Sequence, residues 1–205
     1  MFRRTVAHIA AILGINRLMI FLQRLQRNNC ILSSEVSLRA LNGNNINIGR
    51  GTQLDGLTSI ESYTYIGRNC TVTRSKIGRY VSIGNNVTIG PGEHDLGRLS
   101  TSSLFYDNPY DELTQGECII ENDAWIGVDV IIMRGVRVGI GAAVAANAVV
   151  TKNVPDYAVV AGVPAKVLKY RFNAEKQAQI SASQWWTKDL PEARKFLVEL
   201  AKELQ

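Results

Sequence analysis

The sequence predicts an all-β repeat, a parallel β-helix stacked as a triangular prism, with an α-helix at each end and one long inserted loop. Three observations carry this. An aliphatic residue recurs every six positions, a glycine often follows it directly, and a small or β-branched residue stands at the fifth position of the unit. Neither the 3.6-residue period of a helix nor the two-residue period of a strand gives this spacing.

The chain opens with residues 3–27, RRTVAHIAAILGINRLMIFLQRLQR, in which Val6, Ile9, Leu13, Leu18, Leu22 and Leu25 are interleaved with arginines. The spacing is that of an amphipathic helix. Its uncharged stretch, residues 5–16, is well short of the ~20 apolar residues of a membrane span. Two readings stay open for it: a helix packed on its own body, and a basic interfacial helix touching an anionic membrane. His8 lies here and is assigned no role.

The repeat follows. Ile48, Leu54, Ile60, Ile66 and Val72 stand six apart, a step of five leads to Ile77, and Ile83 and Ile89 resume the period. After an interruption, Ile120, Ile126, Ile132, Val138, Val144 and Val150 continue it. Each unit supplies one short strand and one corner, and three units close a turn. The counted units therefore make about 4.7 turns, roughly 22 Å tall at ordinary strand spacing. The glycines that follow the aliphatic residues call for close packing or an unusual backbone angle at the corners. Cys70, at a fifth position, fits as buried filler.

Residues 95–117, DLGRLSTSSLFYDNPYDELTQGE, break the repeat and form a projecting loop. His94 stands immediately before it. After Lys169 the pattern turns helical: Pro191 suits an early helical position, and Phe196, Leu197, Leu200 and Leu204 share one face. Trp185 and Trp186 serve to anchor that helix to the prism. The expected divisions are a helical segment at 1–30, the repeat domain at 31–169 and a helical extension at 170–205.

Charge and composition exclude several classes. The net charge is +5, and Arg3, Arg4, Arg17, Arg24 and Arg27 all precede the first acid, Glu35. The whole basic excess is thus local, which argues against a nucleic-acid-binding body. The cysteines, Cys30, Cys70 and Cys118, are odd in number and form no CxxC, so neither a disulfide framework nor a zinc site is expected, and a reducing cytoplasm is the expected compartment. No metal is expected. No P-loop, GxSxG or HExxH occurs.

The pattern of aliphatic residue, glycine and small residue on both sides of a loop resembles the hexapeptide-repeat acyltransferases. The stretch NDAWIGVDVIIMRGVRVGIGAAVAANAVVTKNVPDYAVVAGVPAKVLK is similar to the terminal coils of that family, and the Gln184-Trp185-Trp186 tail to its xenobiotic branch. The loop segment EHDLGRLSTSSLFY resembles that of the polysaccharide and sugar O-acetyltransferases, with Ser103 where many carry proline. The resemblance implies a left-handed coil, against the usual right-handed crossover rule. It also implies acetyl-CoA as donor and a homotrimer whose sites are built by two chains.

For such a reaction the resemblance makes His94 the general base, a role that needs a group neutral near pH 7, with a backbone N–H stabilising the oxyanion. Glu93, Asp95, Asp107 or a carbonyl could orient the imidazole. The resemblance places Trp125 beside the thioester arm, Ala146, Thr151 and Lys152 along the cofactor, and Lys169 at its phosphates, with Lys166 or Arg171 as substitutes. Val128 departs from the small or polar residue of many relatives. For the acceptor, Ser100, Thr101 and Ser102 offer hydroxyls, Phe105 and Tyr106 an aromatic platform, and Tyr63 and Tyr65 an earlier outward pair. The expected function is acetyl-CoA-dependent O-acetylation of a sugar or polysaccharide precursor. The alternatives are an antibiotic or amino-sugar acetyltransferase and a non-catalytic hexapeptide scaffold.

Overall fold

The computed structural model describes residues 15–203. His8, Arg3, Arg4 and the first part of the expected N-terminal helix lie outside the described residues, as does Leu204. The chain winds through three parallel sheets. The first face carries seven parallel strands, beginning at residues 30, 47, 65, 82, 125, 143 and 158, and ends on an antiparallel strand, Lys166–Tyr170. The second face runs from Gln53–Leu54 to Val149–Val150, and the third from Ser59–Ile60 to Arg137–Val138.

The inward aliphatic residues pile into three columns. Ile48, Ile66, Ile83, Ile126 and Val144 follow one another on the first face, Leu54, Val72, Ile89, Ile132 and Val150 on the second, and Ile60, Ile77, Ile120 and Val138 on the third. All of them are buried. The prism is taller than the six-residue count suggests. Ile31, Val36 and Leu41 build a further coil at one end, and Val154 and Val160 extend the other. These units depart from six-residue steps: five residues lead from Ile31 to Val36 and five from Val36 to Leu41 across the 3-10 turn at Leu38–Ala40, seven lead on to Ile48, and four separate Val154 from Val150, so the period misses them.

Close packing accounts for the glycines that follow the aliphatic residues. A Cβ on Gly67 would stand 2.6 Å from the Gly84 backbone, and one on Gly127 2.6 Å from the Ala146 nitrogen. The left-handed angle falls on other corner residues. Asn69, Asn86, Asp129 and Asn147 have φ of 55–60° at one vertex, where short amide or carboxylate side chains tolerate it. Tyr63, Tyr80 and Tyr157 take the same angle at the vertex between the third and first faces, an uncommon conformation for bulky residues.

That vertex docks the C-terminal extension. Tyr63 and Tyr80 stack at 4.7 Å, and Tyr80 meets Trp185 at 5.1 Å. Arg79 lies over both tyrosines and donates from Nε to the Trp186 carbonyl at 2.7 Å and from Nη2 to the Lys188 carbonyl at 3.0 Å. Helices α1 (Ile15–Arg27), α2 (Pro109–Leu113, within the loop), α3 (Ala174–Ser183) and α4 (Leu190–Glu203) complete the fold. Asn173 caps α3 by accepting from the Lys176 N–H at 2.9 Å.

The inserted loop leaves after Ile89 without interrupting the stack: Ser82 pairs with Trp125 and Thr88 with Ile131 across it. Its neck is gathered by Arg134, which donates to the carbonyls of Thr73 (2.9 Å), Pro91 (3.3 Å) and Gly116 (3.3 Å). Farther out, the Tyr110 hydroxyl donates to the Asp55 carboxylate, and Arg74 pairs with Asp111. Burial pushes the Asp55 carboxyl upward, but hydrogen bonds from Tyr110, Thr58 and the Arg74 backbone together hold it below its ordinary value. Burial and the adjacent carboxylate push the Tyr110 phenol up to about 12. The latch therefore stabilises across neutral pH. Its contribution falls away in acid as Asp55 protonates, and above pH 10 as pH rises toward about 12.

Two outcomes follow from this packing. Ile77→Ala, which opens a column position, should cost about 2–5 kcal/mol in urea unfolding. Lys76→Ala on the same strand, losing a surface ion pair to Glu117 at 2.8 Å, should cost less than about 1 kcal/mol. In ultraviolet difference titration against Tyr110→Phe, the extra phenol of the wild type should ionise near pH 12 instead of 10; ionisation at its ordinary value would mean that the latch is open.

Candidate active site

His94 stands exposed where the rigid coil gives way to the loop. Its Nδ1 lies 2.5 Å from the Thr101 carbonyl oxygen. A carbonyl only accepts, so Nδ1 must carry the hydrogen, and the neutral ring then presents an unprotonated Nε2. This is the tautomer a general base requires. The ring also meets Tyr106 edge-on at 6.1 Å. Tyr106 is buried, accepts from the Asp95 N–H at 2.8 Å and lies beneath the Arg98 guanidinium at 3.9 Å. Arg98 in turn binds Glu112 at 2.6 Å.

Of the candidate orienting groups, the carbonyl holds the position. Asp95 turns its carboxylate to the Gly97 N–H at 2.8 Å and toward Arg98 at 3.8 Å, and among the described residues neither Glu93 nor Asp107 bonds to the imidazole. The loop hydroxyls are partly committed to local turns. Ser100 Oγ accepts from the Ser102 N–H at 3.2 Å, and Ser102 Oγ from the Leu104 N–H at 3.4 Å. Phe105 is exposed, as are Leu96, Leu99 and Leu104.

A second feature occupies the first face. Successive register pairs put Tyr65, Ser82, Trp125, Ala143, Val159 and Lys169 in one outward column. Around its upper part lies a groove of about 680 Å³. Ala143 and Val159 are small and leave a trough between the exposed Trp125 indole and the strand bearing Lys169 and Tyr170. Arg171 closes one wall, donating to the Gly141 carbonyl at 2.6 Å and pairing with Asp123 at 3.3 Å. Burial raises the Asp123 carboxyl despite that arginine. A trough with an aromatic wall and cations at one end suits a long, anionic acyl donor.

The two features are apart. The loop springs from the vertex between the second and third faces, which in a triangular coil lies opposite the first face. Thr151 and Lys152, exposed after the strand Val149–Val150, stand at the loop's vertex, and Ala146 is exposed at the vertex between the first and second faces. Trp125, Lys169 and Arg171 line the groove, and Tyr65 lies lower in its column. One chain thus brings Trp125, Lys169 and Arg171 together but does not bring His94 to them. Sequence reasoning missed the groove residues Ser82 and Tyr170, although extending the coil register from Trp125 names Ser82. Among the described residues no group of histidine, cysteine, aspartate and glutamate side chains could hold a metal ion.

No family model matches the chain. A chloramphenicol acetyltransferase from Agrobacterium fabrum is 36% identical over 124 residues, 55% of this chain and 59% of that protein, so this match spans less than two thirds of the relative. A chloramphenicol acetyltransferase from Klebsiella aerogenes is 30% identical over 158 residues, 69% of this chain and 75% of that protein. The crystal structure of a hexapeptide-repeat acetyltransferase from Vibrio cholerae shares the fold, with a TM-score of 0.53 and 22% identity over 81% of this chain and 92% of that one. With its stacked hexapeptide coils and these relatives, the chain belongs to the left-handed β-helix, hexapeptide-repeat acyltransferase family.

Proposed function

We propose that the protein is an acetyl-CoA-dependent O-acetyltransferase that acts on a hydroxyl of a sugar or polysaccharide precursor in the cytoplasm, with His94 as general base. The observation that carries this is the Nδ1 bond to the Thr101 carbonyl, which leaves Nε2 free. Nε2 takes the proton of the acceptor hydroxyl as its oxygen attacks the acetyl carbonyl, and the coenzyme A thiolate leaves. The buried Tyr106 and the latch at Tyr110 limit the motion of the loop and so keep the imidazole in place. An exposed base on a projecting loop is open to a bulky acceptor.

The groove supplies the donor side. Trp125 would line the thioester arm, and Lys169 with Arg171 would meet the phosphates. Because the groove and the loop vertex are on opposite sides of one chain, we place the working site between neighbouring chains of a homotrimer. His94, Thr151 and Lys152 of one chain then face the groove of the next.

A second reading keeps the chemistry and changes the acceptor. The names of the curated relatives and the exposed Leu96, Leu99, Leu104 and Phe105 of the loop that follows His94 favour an apolar xenobiotic alcohol.

Thiol release from acetyl-CoA, measured with a panel of sugars, amino sugars and chloramphenicol, tests both. The first reading expects a sugar hydroxyl to give the highest kcat/KM; preference for chloramphenicol would favour the second. In either case His94→Ala should lower kcat about 10²- to 10⁴-fold, and normal turnover by that variant would remove His94 from the mechanism.

A further inference from the structure

Helix α1 is amphipathic in an inverted sense. Ile20 packs against the prism core, Gln23 Oε1 accepts from Asn29 Nδ2 at 3.1 Å, and Arg27 donates to the Leu41 carbonyl at 2.8 Å. These residues, at i, i+3 and i+7, mark the face held against the coil. Leu18, Phe21 and Leu25 have the same spacing on the opposite side and are 58%, 54% and 66% exposed. The apolar stripe of the helix therefore points away from the protein. Burying such a stripe is what ordinarily stabilises a surface helix. Here Arg24 is exposed beside it, and the sequence carries five arginines and no acidic residue before Glu35. Among the described residues no helix is long and apolar enough to cross a membrane.

We propose that α1 docks on an anionic lipid surface, with Leu18, Phe21 and Leu25 entering the boundary between headgroups and acyl chains and Arg24, exposed beside them, meeting the headgroups. Charge selects this occupant. A protein partner could cover the stripe without regard to sign, whereas a segment of five cations and no anions is complementary to acidic lipid, at roughly tenfold in affinity for every one or two basic residues near the surface. Position agrees. The helix leads into Cys30–Ile31, the first strand of the first face, and Trp125 lies on the fifth. Four strand spacings, about 19 Å, thus separate the docked end from the groove, so lipid contact leaves the groove open.

The test uses the full chain, sedimented with phosphatidylcholine vesicles carrying about 30% phosphatidylglycerol and with phosphatidylcholine alone. The chain should bind the anionic vesicles, and more than about tenfold more weakly at high salt or without phosphatidylglycerol. Leu18→Ser/Phe21→Ser/Leu25→Ser should lose binding to both while keeping its thermal midpoint, and Arg24→Glu should weaken only the anionic case. Failure of the wild type to sediment with anionic vesicles, or equal sedimentation of the triple variant, overturns the proposal. So does a change in mass of the triple variant by light scattering without vesicle binding in the wild type, which would make the stripe a contact between chains.

Discussion

Each coil of this protein is stabilised only by the coils above and below it, because a two-residue strand has no hydrophobic face of its own to bury. The constraint is that an inward aliphatic side chain must sit on the matching side chain of the next coil while the strand hydrogen bonds stay in register. Ile83 on Ile66 and Ile126 on Ile83 show the arrangement. It requires glycine where one corner approaches the next and a left-handed residue where the chain turns. It also permits an insertion at a corner of any length whose ends can meet. The loop after Ile89 uses that freedom, and Arg134 binds its two ends together.

The same constraint distributes the chemistry. A residue's face is fixed by its position in the coil, so the first face collects an aromatic side chain, small residues and cations into a trough, while the opposite vertex carries the loop with its histidine. Rigidity comes from the stack and reach from the loop. The loop is anchored at two points: Tyr106 is buried under Arg98, and Tyr110 is tied to Asp55 on an earlier coil. If His94 is the base, as proposed, an imidazole on a loop anchored in this way loses little freedom when an acceptor arrives.

Much of this was legible in the sequence. The six-residue period located the columns and the loop, and the structure places His94 at their junction. Trp125, Lys169 and Arg171 carried over by resemblance, and the structure places them in one groove. What was not legible is informative. The orienting partner of His94 is a backbone carbonyl, and no side-chain pattern encodes one. The end coils escaped because their steps are five and seven residues at one end and four at the other. The φ > 0 of Tyr63, Tyr80 and Tyr157 could not be read from residue type; their rings pack on residues distant in sequence, Tyr80 on Trp185 and Tyr157 on Phe172. The outward stripe of α1 was visible as a pattern, but only the packing of Ile20 shows which side it faces.

In the proposed trimer one chain contributes the base and its neighbour the groove. Subunit complementation tests it most directly. His94→Ala and a Trp125→Ala/Lys169→Glu variant are each prepared, then unfolded and refolded together in equal amounts, and thiol release is measured. If sites form between chains, random assembly should restore about a quarter of wild-type turnover. Recovery no greater than the sum of the two variants refolded separately would contradict the account.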